Sequence, residues 1–551
     1  MGQSKTLEPD KVPPKPKGFL ATLERIGNAL PNPFWLFVIL AGVVIVSSWI
    51  GAAVGMQAKD PASGDIIEVE SLATAEYLQK MVSEAVTNFT DFAPVGLILV
   101  CMLGVAIAEY SGYIGSAIRA AISKVHSPVL LTFIVALAGV TGSIASDAVY
   151  VILIPLGAAS FAAVGRNPIV GAMVAFAASS AGFNSSLVLN ITDVLLAGIS
   201  THAAQFVDPE YVVSPLANYF FTMASSIVLA LIITAVTELF ITKHVDKTIH
   251  EDHIDHEAAE FTKPGASEEA AEGNARETDQ DSDSDSDIGN SSNGRDKLVL
   301  NDSERRGLRY GNITAVIFLA LWFAALFTPG SPLRGEGDGI LNSVLLTDVV
   351  VSIALFFAVV GIAYGIGAKT ITSSADVPAF MERGLGTLTT MMVLFFAVSQ
   401  FTAYFKWSNI GQWTAIKGAE FLTKADLPPL LLFAAFVLMV AVLNLLITSG
   451  SAQWALMAPV VVPMLMYVNV SPEVSQQLFR IGDSPTNIIT PMSPYFALAL
   501  TFLQKYYKPA GVGTLMSLAI PYSLCMMVGW FLFFVVWYLA GIPLGPGVPV
   551  R

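Results

Sequence analysis

The chain has 551 residues, 54% of them hydrophobic and only 13% charged, with a formal charge of −14 and a mean hydropathy of +0.64. That composition excludes an ordinary soluble domain, its acidity speaks against a nucleic-acid partner, and together they predict an all-α polytopic membrane protein in a lipid bilayer.

Residues 1–30 are polar, basic and proline-containing (Lys11, Pro13, Pro14, Lys15, Pro16, Lys17). With no early apolar core they read as a cytoplasmic N-terminal segment and not as a signal peptide. A bilayer core about 30 Å thick needs roughly 20 apolar residues per helix. The first membrane half, 31–242, offers such spans near 33–55, 92–109 and 214–242, and one long interrupted apolar region at 128–200. Basic residues precede the first span, the acidic stretch 57–91 follows it, and Arg119 and Lys124 follow the second. By the positive-inside rule this is a multi-pass protein of the cell membrane with its N-terminus in the cytoplasm. Cys101 and Cys525 sit in apolar runs and read as packing residues.

Residues 243–306 hold 18 Asp and Glu against eight Lys and Arg. This segment reads as an acidic, largely disordered cytoplasmic linker, because its core at 266–294 is too polar to bury a folded surface. His250, His253 and His256 within it read as solvated side chains. A second membrane half, 307–542, then repeats the pattern, with spans near 311–328, 345–367, 386–405 and 514–540 and an interrupted apolar region at 428–502; 543–551 is a C-terminal tail. About nine transmembrane helices and two re-entrant hairpins, arranged as two structural repeats, are expected.

The interrupted regions resemble each other. The first reads Thr141-Gly-Ser-Ile-Ala-Ser-Asp147-Ala-Val-Tyr150, then Pro155, then Gly182-Phe-Asn184. The second reads Thr448-Ser-Gly-Ser451-Ala-Gln-Trp454, then Pro459, then Gly482-Asp483-Ser-Pro-Thr-Asn487. Unwound backbone is tolerated at membrane depth only where protein or a hydrated cavity satisfies it. Matching breaks in two halves therefore point to a transport site. It is placed between hairpins at 143–165 and 449–470 and broken helices at 169–200 and 475–500.

Asp147, Asp193, Arg480 and Asp483 lie in or beside apolar segments, where each charge costs roughly 2.5–3.5 kcal/mol to insert and so needs a partner, a cavity or a function. Asp348, in Leu-Thr-Asp-Val, reads as a helix-start residue. Coupling to sodium or a proton needs hard oxygen ligands, which Asp147, Asn184, Asp193, Asn444, Asp483, Thr486 and Asn487 supply. Arg480 either meets an anionic substrate or pairs with Asp483 one turn on, and Trp454 either stacks on an aromatic substrate or anchors at the interface. No Walker-type motif and no nucleophile–base–orienter set occurs, so no enzyme, no cofactor and no metal beyond a possible sodium ion is expected.

At Ile447-Thr-Ser-Gly-Ser-Ala-Gln-Trp-Ala-Leu-Met-Ala-Pro459, at Phe479-Arg-Ile-Gly-Asp-Ser-Pro-Thr-Asn-Ile-Ile-Thr-Pro491 and at Ser399-Gln-Phe-Thr-Ala-Tyr-Phe-Lys-Trp-Ser-Asn-Ile-Gly411, the sequence closely resembles the aminobenzoyl-glutamate transporter (AbgT) family. The resemblance covers nearly all of the membrane region. It implies a homodimer whose protomers hold nine spans and two hairpins around a cytoplasm-facing basin. It also implies cation-driven movement of p-aminobenzoyl-glutamate or export of antimetabolites such as sulfonamides. The family's functional positions fall on Asp193, Asn444, Ser451, Trp454, Pro472, Arg480, Asp483 and Pro491, and Asn184 is added here as a substrate contact from its place at the first break. The expected substrate is a small aromatic anion; the alternative is a sodium-coupled dicarboxylate carrier, which shares hairpins and broken helices.

Overall fold

The computed structural model describes residues 33–60, 64–123, 125, 127–143, 148–249, 300–334, 340, 343–491 and 493–551. The N-terminal segment, Asp147 and the linker core lie outside these residues. Six described helices are long and apolar enough to cross a bilayer: α1 (Pro33–Ala53), α4 (Ala93–Tyr110), α10 (Tyr219–Val236, continuous through Lys247), α12 (Asp302–Phe327), α14 (Val349–Ala368) and α22 (Val512–Ala540). A pair bent by 50°, α15 (Asp376–Thr387) and α16 (Thr389–Trp407), adds a seventh. Length alone thus falls short of nine, because each half of a broken helix is too short to count as a span. Asp348 is the N-cap residue of α14, the helix-start position expected of it.

The acidic stretch after α1 holds elements that its composition did not announce. A two-stranded antiparallel sheet pairs β1 (Gln57–Lys59) with β2 (Ile66–Glu68), and two short helices follow, α2 (Ala75–Ser83) and α3 (Ala85–Thr90). α5 (Tyr113–Ser123) follows α4, and the small residues of α4 let α14 approach closely. A Cβ on Gly361 of α14 would stand 2.6 Å from the Ala108 backbone nitrogen, the small-residue contact typical of membrane helices.

The interrupted regions form two hairpin-plus-broken-helix units. The first comprises α6 (Pro128–Gly142), α7 (Ala148–Ala162), α8 (Pro168–Ala181) and α9 (Ile191–Ala204). The π turn Thr237–Ile241 and α11 (Thr242–Thr248) extend α10. Between the units lie α13 (Val344–Thr347) and α17 (Ile410–Ala425). The second unit comprises α18 (Pro429–Asn444), α19 (Gly450–Met466), α20 (Pro472–Asn487) and α21 (Pro494–Tyr506).

The chain reverses at both tips. A Cβ on Gly139 would lie 2.9 Å from Leu153, and Gln453 Nε2 donates to the Val440 carbonyl at 2.9 Å. In a continuous helix, residues 13 or 14 apart would be separated by about 20 Å. The sequence ranges 143–165 and 449–470 therefore cover only a tip and a second arm. The first arms, α6 and α18, begin at Pro128 and Pro429, prolines suited to the first helical turn, and their apolar faces merged with the surrounding run. The second break also moves. α20 stays helical through Pro485 to Asn487, the chain leaves the helix at Ile488, and the next helix begins at Pro494.

The units enter from opposite faces. The long helix from Tyr219 to Thr248 defines both ends: Phe220 N donates to the Leu544 carbonyl at one, and Thr242 accepts from Arg166 Nη2 at the other. Arg166 also reaches the Pro128 carbonyl at 3.1 Å, so the base of the first hairpin lies on the linker face. Tyr467, at the base of the second, donates to Asp60 beyond the end of α1, and Glu473 accepts from Tyr211 in the loop before α10. The second hairpin is thus rooted on the face opposite the linker.

Candidate functional site

A cavity of about 240 Å³ lies where the hairpin tips meet the breaks. Ser143 contributes from the first tip; Thr448, Ser449, Gly450 and Ser451 contribute from the second. Four helices begin at its wall: α7 through Val149 and Tyr150, α9 through Ile191 and Thr192, α19 through Ser449–Ser451, and α21 through Ser493–Tyr495. Each helix N-terminus carries roughly half a positive charge, so the wall favours an anion without exposing a cationic side chain. Tyr150 and Tyr495 stack at 4.3 Å with their rings 6° from parallel. They line the cavity together with Phe183, Leu388 and Met391 and give it an aromatic and apolar flank. Neither tyrosine is among the site residues expected from the sequence, where Tyr150 stands only at the end of the first tip motif.

Behind the wall, a buried network joins the two broken helices. Arg480 Nη1 binds Asp193 Oδ1 at 2.7 Å, with side chains 1% and 6% exposed, and contacts the Asn184 carbonyl at 3.4 Å. Of the nearby carboxylates, Arg480 thus pairs with Asp193 and not with Asp483 one turn on. The second oxygen of Asp193 accepts from the Asn190 backbone N–H, and Asn190 Oδ1 accepts in turn from Asp193 N, a reciprocal cap on α9. Asn190 Nδ2 reaches Ser143 Oγ at 3.0 Å, which ties the first tip to the first break.

Asp483, fully buried on α20, accepts from Asn184 Nδ2 at 2.6 Å through Oδ2. Its Oδ1 has no partner among the described residues. Asn444 Nδ2 lies within 2.9 Å of the Asp483 carbonyl, Thr486 Oγ1 and Asn487 Oδ1, at the end of α18. Asn184, Asp193, Asn444, Arg480, Asp483, Thr486 and Asn487 thus form one connected cluster, with Ser451 and Asn487 on the cavity wall itself.

Gly450 fits between the wall and the network. A Cβ there would lie 2.7 Å from Phe183 Cε1 and 3.1 Å from both Asp483 oxygens. Gly450→Ala is therefore expected to lower transport about tenfold, as roughly 1–3 kcal/mol of overpacking at a moving contact implies. Melting of the purified variant within a few degrees of the wild type would show that the loss is functional.

Three expected residues sit elsewhere. Trp454 is fully buried, tilted against Phe479 at 4.7 Å with Nε1 donating to Ser200 Oγ at 3.0 Å. It is neither at an interface nor on the cavity wall, and contact with a substrate requires the ring to leave this packing. Pro472 is the first residue of α20, about 16 Å along the axis from Asp483 by helical rise, so it shapes a helix start. Pro491 lies in the second break, half-buried, next to but not on the wall. No group of three metal-ligating side chains occurs among the described residues.

Comparison with known proteins agrees with this architecture. The sequence model of the "AbgT putative transporter family" matches residues 18–273 and 279–551. The p-aminobenzoyl-glutamate transport protein of Escherichia coli K12 is 34% identical over 530 residues, 96% of each chain. The Alcanivorax borkumensis YdaH transporter superposes with a TM-score of 0.81 at 35% identity, covering 94% of this chain and all of its own. Neisseria gonorrhoeae MtrF, described with a class of antimetabolite efflux pumps, gives 0.83 at 39% identity, covering 97% of this chain and all of its own. These relatives are transporters and not enzymes, and with the family matched along nearly the whole length, the chain belongs to the AbgT family of membrane transporters.

Proposed function

We propose that the protein is a cation-coupled secondary transporter of p-aminobenzoyl-glutamate or related folate-pathway antimetabolites, sulfonamides among them. The observation that carries this reading is the convergence of four helix N-termini on a cavity flanked by the Tyr150–Tyr495 stack. Helix ends suit carboxylates and an aromatic flank suits a benzoyl ring. The relatives above give no support to a dicarboxylate carrier, the second sequence reading, and it is set aside.

A cavity of 240 Å³ is below the roughly 300–1,000 Å³ of typical ligand pockets. Substrate entry therefore needs a tip to withdraw. The hairpins are rooted on opposite faces, so withdrawing one tip opens the cavity to one side while the other still seals it, which is alternating access. In this reading the cation is a sodium ion or proton held at Asp483, Asn444, Thr486 and Asn487. The protein works as a homodimer in the cell membrane with the linker face in the cytoplasm.

Reconstituted protein should accumulate or expel p-aminobenzoyl-glutamate against its gradient when a sodium or proton gradient is imposed. Succinate should not compete. Equilibrative movement only, with both gradients in place, would refute coupling; competition by succinate would refute the substrate class.

A further inference from the structure

α20 is buried from Pro472 to Thr486, yet Glu473, Gln476, Gln477, Arg480, Asp483 and Asn487 recur along it at spacings that place them on one face. A buried helix normally carries apolar residues on every side. Here a polar stripe runs from the face opposite the linker to the cation cluster, about 15 Å from Glu473 to Asp483 by helical rise.

The stripe has two carboxylates at its ends and unsatisfied groups between them. Glu473 is 4% exposed, and both its oxygens accept from Tyr211 Oη, at 3.2 and 3.1 Å. No cation pairs with it among the described residues. Tyr211 is half-buried and lies in a turn with Asp208 and Glu210, which are exposed. One, two and nearly three turns further in, both side-chain polar atoms of Gln477, Nε and Nη2 of Arg480, and Oδ1 of Asp483 are buried without a partner among the described residues. Buried polar atoms in proteins are as a rule satisfied, by protein or by bound water. Unpaired donors and acceptors aligned between two carboxylates are groups that bound water would satisfy.

The surrounding elements add few charges. α8, α18, α19 and α22 carry no Asp, Glu, Lys, Arg or His, and Tyr522 of α22 is engaged by Thr237. α9 brings Asp193, paired with Arg480, and His202, packed between Phe92 and Phe206.

Resting on the transport reading above, we infer that Glu473 is a proton-carrying residue that links the face opposite the linker to Asp483 along the polar stripe of α20. A proton from bulk water binds the Glu473 carboxylate, passes by water hydrogen-bonded at Gln477 and Arg480, and ends on Asp483 Oδ1. Only O–H bonds form and break. Ionisable residues inside a membrane protein characteristically serve such relays.

The test compares two modes in proteoliposomes: accumulation of p-aminobenzoyl-glutamate driven by an imposed pH gradient, and its exchange across the membrane at equal pH. Glu473→Gln should lower driven accumulation about tenfold or more and leave exchange within about twofold, as expected of a relay outside the substrate site. Glu473→Asp should restore most of the accumulation, and Tyr211→Phe should slow it without abolishing it. Wild-type accumulation in Glu473→Gln would overturn the inference. So would equal loss of both modes, or failure of Glu473→Gln to fold with no recovery in Glu473→Asp, either of which makes Glu473 structural. A wild type that exchanges substrate but ignores pH also overturns it while leaving transport intact; a wild type that moves no substrate fails the transport reading first.

Discussion

Arg480→Met should abolish transport and lower the unfolding free energy by about 3–5 kcal/mol, the cost of stranding one member of a buried ion pair. Asp193 is 4% exposed and Arg480 1%, so neither charge reaches solvent when its partner is removed. The pair joins α9 to α20, one from each repeat, and its loss frees the two broken helices from each other. Combining Arg480→Met with Asp193→Asn removes both charges and should recover most of the stability but none of the transport. Thermal unfolding in detergent and uptake into proteoliposomes separate the two effects. If the single and double variants melted alike, the pair would not be what holds the helices in register. Asp193→Ala should for the same reason unfold the protein as well as silence it, since it also breaks the reciprocal cap with Asn190.

Asp483→Asn should behave in the opposite way, with folding kept and coupling lost. Asparagine is nearly isosteric, its oxygen can still accept from Asn184, and its amide places no new charge in the core. The cluster formed by Asn444, Thr486 and Asn487 remains bonded to the backbone carbonyl of residue 483, which the substitution leaves in place. Melting should shift by no more than about 1 kcal/mol equivalent, typical of one neutral hydrogen bond. The substrate gradient built under an imposed cation gradient should collapse to equality. Full accumulation by this variant would remove Asp483 from cation coupling.

Much of this architecture was legible in residue pattern. Gly182-Phe-Asn184 and the Thr448–Ser451 tip are polar interruptions in apolar runs, and lipid admits those only at a shielded site. The buried carboxylates Asp193 and Asp483 stood out for the same energetic reason. What pattern could not supply was pairing. Arg480 lies three residues from Asp483 and 287 from Asp193, yet it binds the distant one at 2.7 Å, because α9 crosses α20 at that level. The first hairpin arms were hidden because α6 and α18 are as apolar as any full span, and only contacts such as Gln453 with Val440 show that the chain turns back. The Gly482–Asn487 motif pointed to an early break, but packing on all sides kept α20 helical through Pro485 to Asn487. Trp454 illustrates a further limit: an indole at a hairpin tip has the composition of a ligand contact, while its placement against Phe479 and Ser200 is set by tertiary packing alone.

The polar face of α20 bears on how the protein is made. A segment holding Arg480 and Asp483 pays roughly 2.5–3.5 kcal/mol for each charge near the bilayer centre, and so does not leave the translocon for lipid by its own partitioning. Its counter-charge, Asp193, belongs to a part of the chain synthesised some 290 residues earlier. Biogenesis of the second repeat therefore depends on a first repeat already seated beside the insertion site, and errors there would release a chain with one helix left outside the bilayer.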